Sequence, residues 1–501
     1  MPQTDFDTLI RGGRVMDPET GRDETADLAI TGGRIMAIGH NLGSAARQID
    51  AAGRVVAPGF IDIHAHGQSI PADRMQAFDG VTTALELEVG TLPVAPWYEA
   101  QARTGRVLNH GTAAAWILAR KAVMIGMDLT GGAPLEMMGA GADDPRWIRN
   151  IATDDQVAAI TALIGEGIAD GALGIGIPNA YASGAGVKEM VAVCQLAAQA
   201  GIPTFTHVAY TARIDPQSAI EAYIRLIGYA GATGAHMHIC HLNSTSGTDI
   251  ARAVEILQKA QAQGLPITVE AYPYGTGSTV VSAAFYQDPD FPRRTGRTYD
   301  SLQLVATGYR FQSREDLLAA AAKNPGELIL THFLNTEGYG PHQPLLDMSV
   351  MYPGGAIASD AMPWVDASGA IYTGEDWPLP DNVFSHPRSS GTFTRFFRQY
   401  VRERPLAGLM EAIAKCTLIP CRVIEGSAPA MRRKARLQVG CDADIVVFDP
   451  DRIGEQATFQ HMNRTAKGVH DLLVNGQPVI AGGSLVIEAR PGRPIRGGAA
   501  T

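Results

Sequence analysis

A chain of 501 residues, 46% hydrophobic and only 18% charged, is too long for one ordinary core and reads as a globular protein with one large unit and one smaller. Its 55 glycines favour an α/β chain with many tight strand-to-helix turns over a fibrous or disordered one. A formal charge of -10, with no Lys/Arg-rich run, opposes phosphate backbones and anionic membrane surfaces, so nucleic acid and membrane are set aside as partners.

The first residues, M-P-Q-T-D-F-D-T-L-I-R-G-G, lack a basic segment followed by an apolar core, and no apolar run reaches the roughly 18 residues of a membrane helix. Cys194, Cys240, Cys416, Cys421 and Cys441 are an odd, widely spaced set with no C-x-x-C, which fits a reducing compartment, so a cytoplasmic location is expected. T-L-I-R-G-G-R-V-M-D, D-L-A-I-T-G-G-R-I-M-A-I-G and R-Q-I-D-A-A-G-R-V-V-A-P-G alternate apolar and polar residues between glycine turns, as antiparallel strands do. Near the other end A-D-I-V-V-F-D-P and D-L-L-V-N-G-Q-P-V-I-A-G-G repeat that texture. A small β-sandwich domain built from both chain termini, residues 1–57 plus 421–501, is the expectation.

Residues 58–420 have another rhythm. Short apolar runs alternate with helical stretches such as K-E-M-V-A-V-C-Q-L-A-A-Q-A, the βαβ pattern of a parallel sheet. Strands are expected at 60–64, 82–88, 172–177, 203–207, 236–241, 267–271, 328–331 and 356–359, enough for a closed (β/α)8 TIM-like barrel. The Asp-, Pro- and Arg-rich residues from about 278 to 325 look like an insertion and a candidate lid.

Side chains at i and i+2 leave the same face of a strand, so His64 and His66, in P-G-F-I-D-I-H-A-H, can grip one cation. An isolated H-x-H is more often two polar residues at a strand end. Here His207 ends P-T-F-T-H, His241 ends H-M-H-I-C-H and Asp360 ends G-A-I-A-S-D, each closing a strand on the rim where a barrel keeps its active site. Four His and one Asp suit Zn2+ or a similar ion. His236 and His238 are read as structural, and His332 as a candidate partner of a ligand. Glu86 and Glu88, in G-V-T-T-A-L-E-L-E-V-G, share one face of an otherwise apolar strand, where a carboxylate is costly unless paired or metal-bound. Glu88, nearer the strand end, is the chosen bridge between two metals, with Glu86 as the alternative and a salt bridge to Arg or Lys as the bland explanation.

Together with G-V-T-T and the closing G-C-D-A-D-I-V-V-F-D-P, these motifs resemble the amidohydrolase superfamily, metal-dependent (β/α)8 hydrolases with a flanking β-sandwich. Along nearly the whole chain, G-A-L-G-I-G-I-P-N-A-Y-A-S-G, C-H-L-N-S, E-A-Y-P-Y-G-T-G-S-T and H-P-R-S-S-G-T-F-T-R-F-F look like the N-acyl-D-amino-acid deacylases, the D-aminoacylases. The resemblance implies one or two divalent ions, one held by His64, His66 and Asp360 and the other by His207 and His241. It also implies substrate contacts from Tyr272, Ser278 and Arg388, with Arg388 pairing a carboxylate, a role that suits the guanidinium fork. Where those deacylases usually carry a cysteine on the second strand this chain has Glu88 and Val89. Asn243 and Ala209 replace a usual Lys and Arg, and a long loop separates Asp360 from His386.

The expected reaction is hydrolysis of an N-acyl-D-amino acid, such as an N-acyl-D-glutamate, by metal-activated hydroxide with Asp360 as proton shuttle. The rivals are another amidohydrolase activity (cyclic amidase, isoaspartyl-type dipeptidase or deaminase) and a non-catalytic barrel scaffold. Cyclic amidases generally bridge their metals with a carboxylated lysine on the fourth strand, and G-A-L-G-I-G-I-P has no lysine. A small-molecule substrate is the expected partner, and a homo-oligomer is compatible with the sequence.

Overall fold

In the computed structural model the described residues are 5–130, 137, 139–141 and 144–498. The expected terminal unit, 1–57 plus 421–501, therefore has residues 1–4 and 499–501 outside the described residues. Five strands open the chain: β1 (Phe6–Asp17), β2 (Arg22–Thr31), β3 (Arg34–Gly39), β4 (Ala45–Asp50) and β5 (Val55–Pro58). β1 runs antiparallel to β2 and pairs in parallel with β4 along its first half and β5 along its second. The change of partner falls at Gly12, φ +63, and Gly13, where a Cβ would lie 2.4 Å from Val56 Cγ2, so both positions need glycine.

The strands β6 (Phe60–Asp62), β7 (Val81–Thr91), β8 (Asn109–Ala115), β9 (Ile175–Pro178), β10 (Thr204–His207), β11 (Met237–Ile239) and β12 (Ile267–Ala271) follow. Next come β13 (Thr276–Val280), β14 (Leu302–Leu304), β15 (Leu328–His332) and β16 (Ala356–Ile357). β6 to β12 and then β16 lie side by side in chain order, all parallel, as an eight-stranded sheet. Its two edges meet where Ala65 bridges Ala361, and where the Asp62 carboxylate accepts the Ser359 N–H at 3.0 Å. The result is a nearly closed (β/α)8 barrel. Helices between the strands turn a narrow apolar stripe inward: Met190, Val193, Cys194 and Ala197 on Val187–Ala200, and Ile250, Ala253, Val254, Leu257 and Ala260 on Ile250–Ala262.

One expected barrel strand lies elsewhere, and one barrel strand was not expected. Residues 328–331 form β15, which pairs antiparallel with β13 and β14 in a separate three-stranded sheet and contributes nothing to the barrel. Its run Leu-Ile-Leu is apolar because both faces are buried, Ile329 against Phe311 and Leu317, Leu328 and Leu330 against Val305 and Met362. The barrel strand overlooked in its place is β8, N-H-G-T-A-A-A, whose small residues carry little hydrophobic signal although every one is buried.

β17 (Ile445–Phe448), β18 (Val469–Val474), β19 (Gln477–Ala481) and β20 (Ser484–Leu485) bring the end of the chain back to β5, giving a nine-stranded sheet drawn from both termini. The period-2 alternation serves two cores. Ile445, Val447 and Val56 face Ile10, Val15 and Leu28 within the sheet, whereas Val446, Phe448, Val55 and Ala57 join the large core shared with the barrel helices. Each large aliphatic chain buried this way contributes roughly 1.5–3 kcal/mol. Among the described residues no helix is long and apolar enough to cross a membrane.

Candidate metal centre

The six residues expected to hold metal converge at the ends of the barrel strands. His64 and His66 follow β6, Glu88 lies in β7, His207 closes β10, His241 follows β11 and Asp360 follows β16. His64 Nε2 lies 3.1 Å from His66 Nε2 and 3.2 Å from Glu88 Oε2, and His66 Nε2 lies 3.4 Å from that oxygen. Asp360 Oδ1 is 3.5 Å from both imidazole nitrogens. The other oxygen of Glu88, Oε1, is 2.8 Å from His241 Nε2 and 3.1 Å from His207 Nδ1. Glu88 therefore spans both histidine pairs, and its side-chain partners among the described residues are imidazoles, with no Arg or Lys. Glu86 sits to one side, with Oε2 2.9 Å from His66 Nδ1.

Backbone geometry marks the same place. His241 and Asp360 stand at φ +35 and +52, left-handed conformations that cost a non-glycine residue about 1–3 kcal/mol and persist where the surroundings demand them. On β9 a Cβ at Gly176 would lie 2.4 Å from the Glu88 carbonyl oxygen. The G-A-L-G-I-G-I-P segment thus keeps a bare backbone at Gly176 so that β7 can approach, and no side chain fits at that position.

Chemistry of the donors fits a divalent cation. His66 Nδ1 is committed to Glu86 and His64 Nδ1 to Glu270 in a very short contact, so each ring turns its Nε2 toward the two carboxylates and toward the other ring. In neutral imidazoles these nitrogens carry lone pairs, which repel one another and the carboxylates unless a cation stands between them. Their spacings of 3.1–3.5 Å match the edge of about 3.3 Å that a tetrahedron with metal–ligand bonds of about 2.0–2.1 Å requires. Glu86, Glu88, Glu270 and Asp360 are all buried, and among the described residues the one guanidinium in contact with any of them is Arg388, on Asp360. Burial works against an imidazolium at His64, yet Glu270, Asp360 and Glu88 raise its pKa well above the ordinary value; Glu86 and Asp360 do the same for His66. The site calls for positive charge.

A cavity opens beside the centre, bounded by His66, His207, His241, Tyr272, Ser278 and Arg297 among others. Of the three residues expected to contact substrate, Tyr272 and Ser278 line it and Arg388 lies just behind, its guanidinium 4.7 Å from the centre of the Tyr272 ring. Arg388 is fully buried, with Nη2 2.8 Å from Asp360 Oδ1 and Nε donating to the Asp360 carbonyl at 2.6 Å. Its Nη1, Tyr272 Oη and Ser278 Oγ are buried without a hydrogen-bond partner among the described residues. They surround Gly277, where a Cβ would sit 3.1 Å from Tyr272 Oη and 3.6 Å from Arg388 Nη1.

His332 is far from this role. It belongs to the inserted sheet, with Nδ1 2.9 Å from Thr276 Oγ1 and Nε2 3.2 Å from Gln303 Oε1. Sequence reasoning missed Glu270, hidden in the strand I-T-V-E-A, and Arg297, one of several arginines in the insertion. The long loop after Asp360 folds over helix Ile70–Phe78, where Trp364, Leu379 and Val383 pack on Ala72 and Met75.

A model of the Amidohydrolase family matches residues 47–257 and 242–480. An N-acyl-D-glutamate deacylase of Alcaligenes xylosoxydans xylosoxydans is 28% identical over 518 residues, covering 99% of this chain and 97% of that protein. A D-aminoacylase of the same organism is 28% identical over 515 residues, 96% of each. Among solved structures, an N-acyl-D-glutamate deacylase from Bordetella bronchiseptica, complexed with zinc and a phosphonate inhibitor, superposes with a TM-score of 0.77 at 22% identity, over 98% of this chain and 99% of that one.

Proposed function

The chain belongs to the amidohydrolase family, and on that premise we propose that it is a metal-dependent hydrolase of linear amide bonds that deacylates N-acyl-D-amino acids, with N-acyl-D-glutamate or a related acidic compound as substrate. The observation that carries the reading is Glu88, whose two oxygens join His64 and His66 on one side to His207 and His241 on the other. One or two divalent ions, zinc in the first instance, are assigned to these residues together with Asp360. When bound, such ions polarise the scissile carbonyl and lower the pKa of a water toward neutrality.

The remaining steps belong to the side chains. Arg388 Nη1, Tyr272 Oη and Ser278 Oγ take the substrate's α-carboxylate, which satisfies three otherwise unpaired buried groups. Arg297, which also lines the cavity with Nη1 donating to Thr331 Oγ1 at 2.8 Å, offers a second guanidinium to an acidic side chain. Asp360 accepts the proton of the attacking water and delivers it to the amide nitrogen as the C–N bond breaks, releasing a carboxylic acid and a D-amino acid. Acid–base transfer of this kind contributes about 10²–10⁴-fold. Five unpaired, buried thiols support a cytoplasmic location.

The decisive experiment measures bound metals and then screens N-acetyl, N-formyl and N-succinyl derivatives of D- and L-amino acids for amine release. Preference for acidic D-compounds is expected. Hydrolysis confined to L-compounds or to cyclic ureides would overturn the substrate assignment.

A further inference from the structure

The segment H-M-H-I-C-H supplies His241 to the centre and leaves two histidines that neither the centre nor the cavity uses. Their contacts run in one line. His238, fully buried, has Nε2 3.1 Å from Glu270 Oε2 and Nδ1 2.8 Å from Thr268 Oγ1. His236 Nε2 lies 2.8 Å from the same Thr268 oxygen. The second oxygen of Glu270 is the one that meets His64 Nδ1. The line thus starts at His236, partly exposed just before β11 at the floor of the barrel, and ends on a residue of the metal centre.

Hydrogen counting gives the line a direction. A carboxylate has no hydrogen to give, so both imidazoles on Glu270 donate to it, His64 through Nδ1 and His238 through Nε2. A neutral His238 that donates through Nε2 accepts at Nδ1, so the Thr268 hydroxyl donates there and accepts from His236 Nε2–H in turn. Each proton is fixed by its neighbour. At the end of the line His64 keeps its proton on Nδ1 and presents the Nε2 lone pair toward Glu88 and Asp360.

We propose that Glu270, His238 and Thr268 are positioning residues that set the tautomer and orientation of His64 for a divalent cation. This rests on the metal-dependent reading and extends it to residues that touch neither metal nor substrate. An apolar side chain at 238 would leave Glu270 Oε2 buried without a donor, free to turn away from His64. Glutamine at 238 can still place an N–H there.

Competition of the full-length chain against a zinc chelator tests this. His238→Leu should weaken zinc binding by about 10- to 100-fold, the range seen when the outer partner of a metal-bound histidine is lost, and His238→Gln should recover most of it. In the zinc-loaded wild type, nitrogen NMR of the imidazoles should show His238 protonated on Nε2. Wild-type zinc affinity in a His238→Leu chain that melts like the wild type, or a His238 protonated on Nδ1, overturns the inference. Should His238→Leu fail to fold, Glu270→Gln, which keeps the shape and removes the charge, carries the same expected loss and the same overturning outcome. A wild-type chain that binds no zinc would overturn the metal-dependent reading as well; equal affinities overturn this inference alone.

Discussion

Arg388 Nη2 lies 2.8 Å from Asp360 Oδ1, while Nη1 of the same guanidinium has no partner among the described residues. One cation therefore serves both the proposed proton shuttle and the proposed carboxylate site. Burial alone would raise the Asp360 pKa, but Arg388 and His64 outweigh it and hold it below the ordinary carboxylate range. A substrate carboxylate arriving on Nη1 shares that positive charge and makes Asp360 a better base at the moment it is needed. Arg388→Met should thus lower kcat/KM for an N-acyl-D-amino acid by about 10- to 10²-fold, since a hydrogen bond to a charged group is worth about 1.5–3 kcal/mol. An N-acyl amine without the carboxylate should lose much less. Equal losses on the two substrates would remove Arg388 from carboxylate binding.

Asp360→Asn separates the two duties of Asp360. The amide keeps an oxygen where Oδ1 stands, so metal content should stay near that of the wild type, whereas the proton acceptor is gone. Turnover should fall by about 10²–10⁴-fold. Undiminished kcat in the zinc-loaded variant would take the shuttle role away from Asp360.

Much of this site was legible because a strand's period of two and its end are both written in the sequence. His64, His66, His207, His241 and Asp360 each terminate a recognisable apolar run, and the rim of the barrel gathers such ends. Glu270 was not legible, since one glutamate inside I-T-V-E-A reads as an ordinary polar alternation; only the fold brings it against His64, just past β6, and His238 of β11. The barrel itself was legible, and single strands were not where local texture and topology part company. β15 has the look of a barrel strand and lies elsewhere, while β8, made of small residues, is a barrel strand without the look. Arg297 was hidden for another reason: the insertion carries several arginines, and which of them turns toward the cavity is settled by packing alone.

Glu88 spans the two halves of the centre, so its charge should decide how many cations the chain retains. Glu88→Gln keeps the volume and one acceptor oxygen but removes the negative charge from between four imidazoles. Elemental analysis after dialysis should show fewer divalent ions per chain than in the wild type. The remaining affinity should drop about 10-fold or more, given the cost of unbalanced lone pairs and charges in a buried site. Unchanged stoichiometry and affinity would mean that Glu88 holds the histidines and no metal.

Acid sensitivity should come in part from His110, far from the centre on β8. Its ring is buried, Nε2 has no partner among the described residues, and burial, aided by Arg106, pushes its pKa down to about 3. In the unfolded chain the same imidazole titrates near 6.5. Between these values the unfolded state binds a proton that the folded state refuses, so stability is fully present above about pH 6.5 and is lost as pH falls toward 3, by at most about 1.4 kcal/mol per pH unit. His236 and His332, each lowered to about 4 by burial, add to the same slope. His110→Phe removes one titrating ring while keeping its bulk beside Trp97. Thermal melts from pH 7 down to about 4 should show a shallower decline for this variant than for the wild type, whatever the offset at neutral pH. Parallel declines would show that His110 takes up its proton in the folded chain as readily as in the unfolded one.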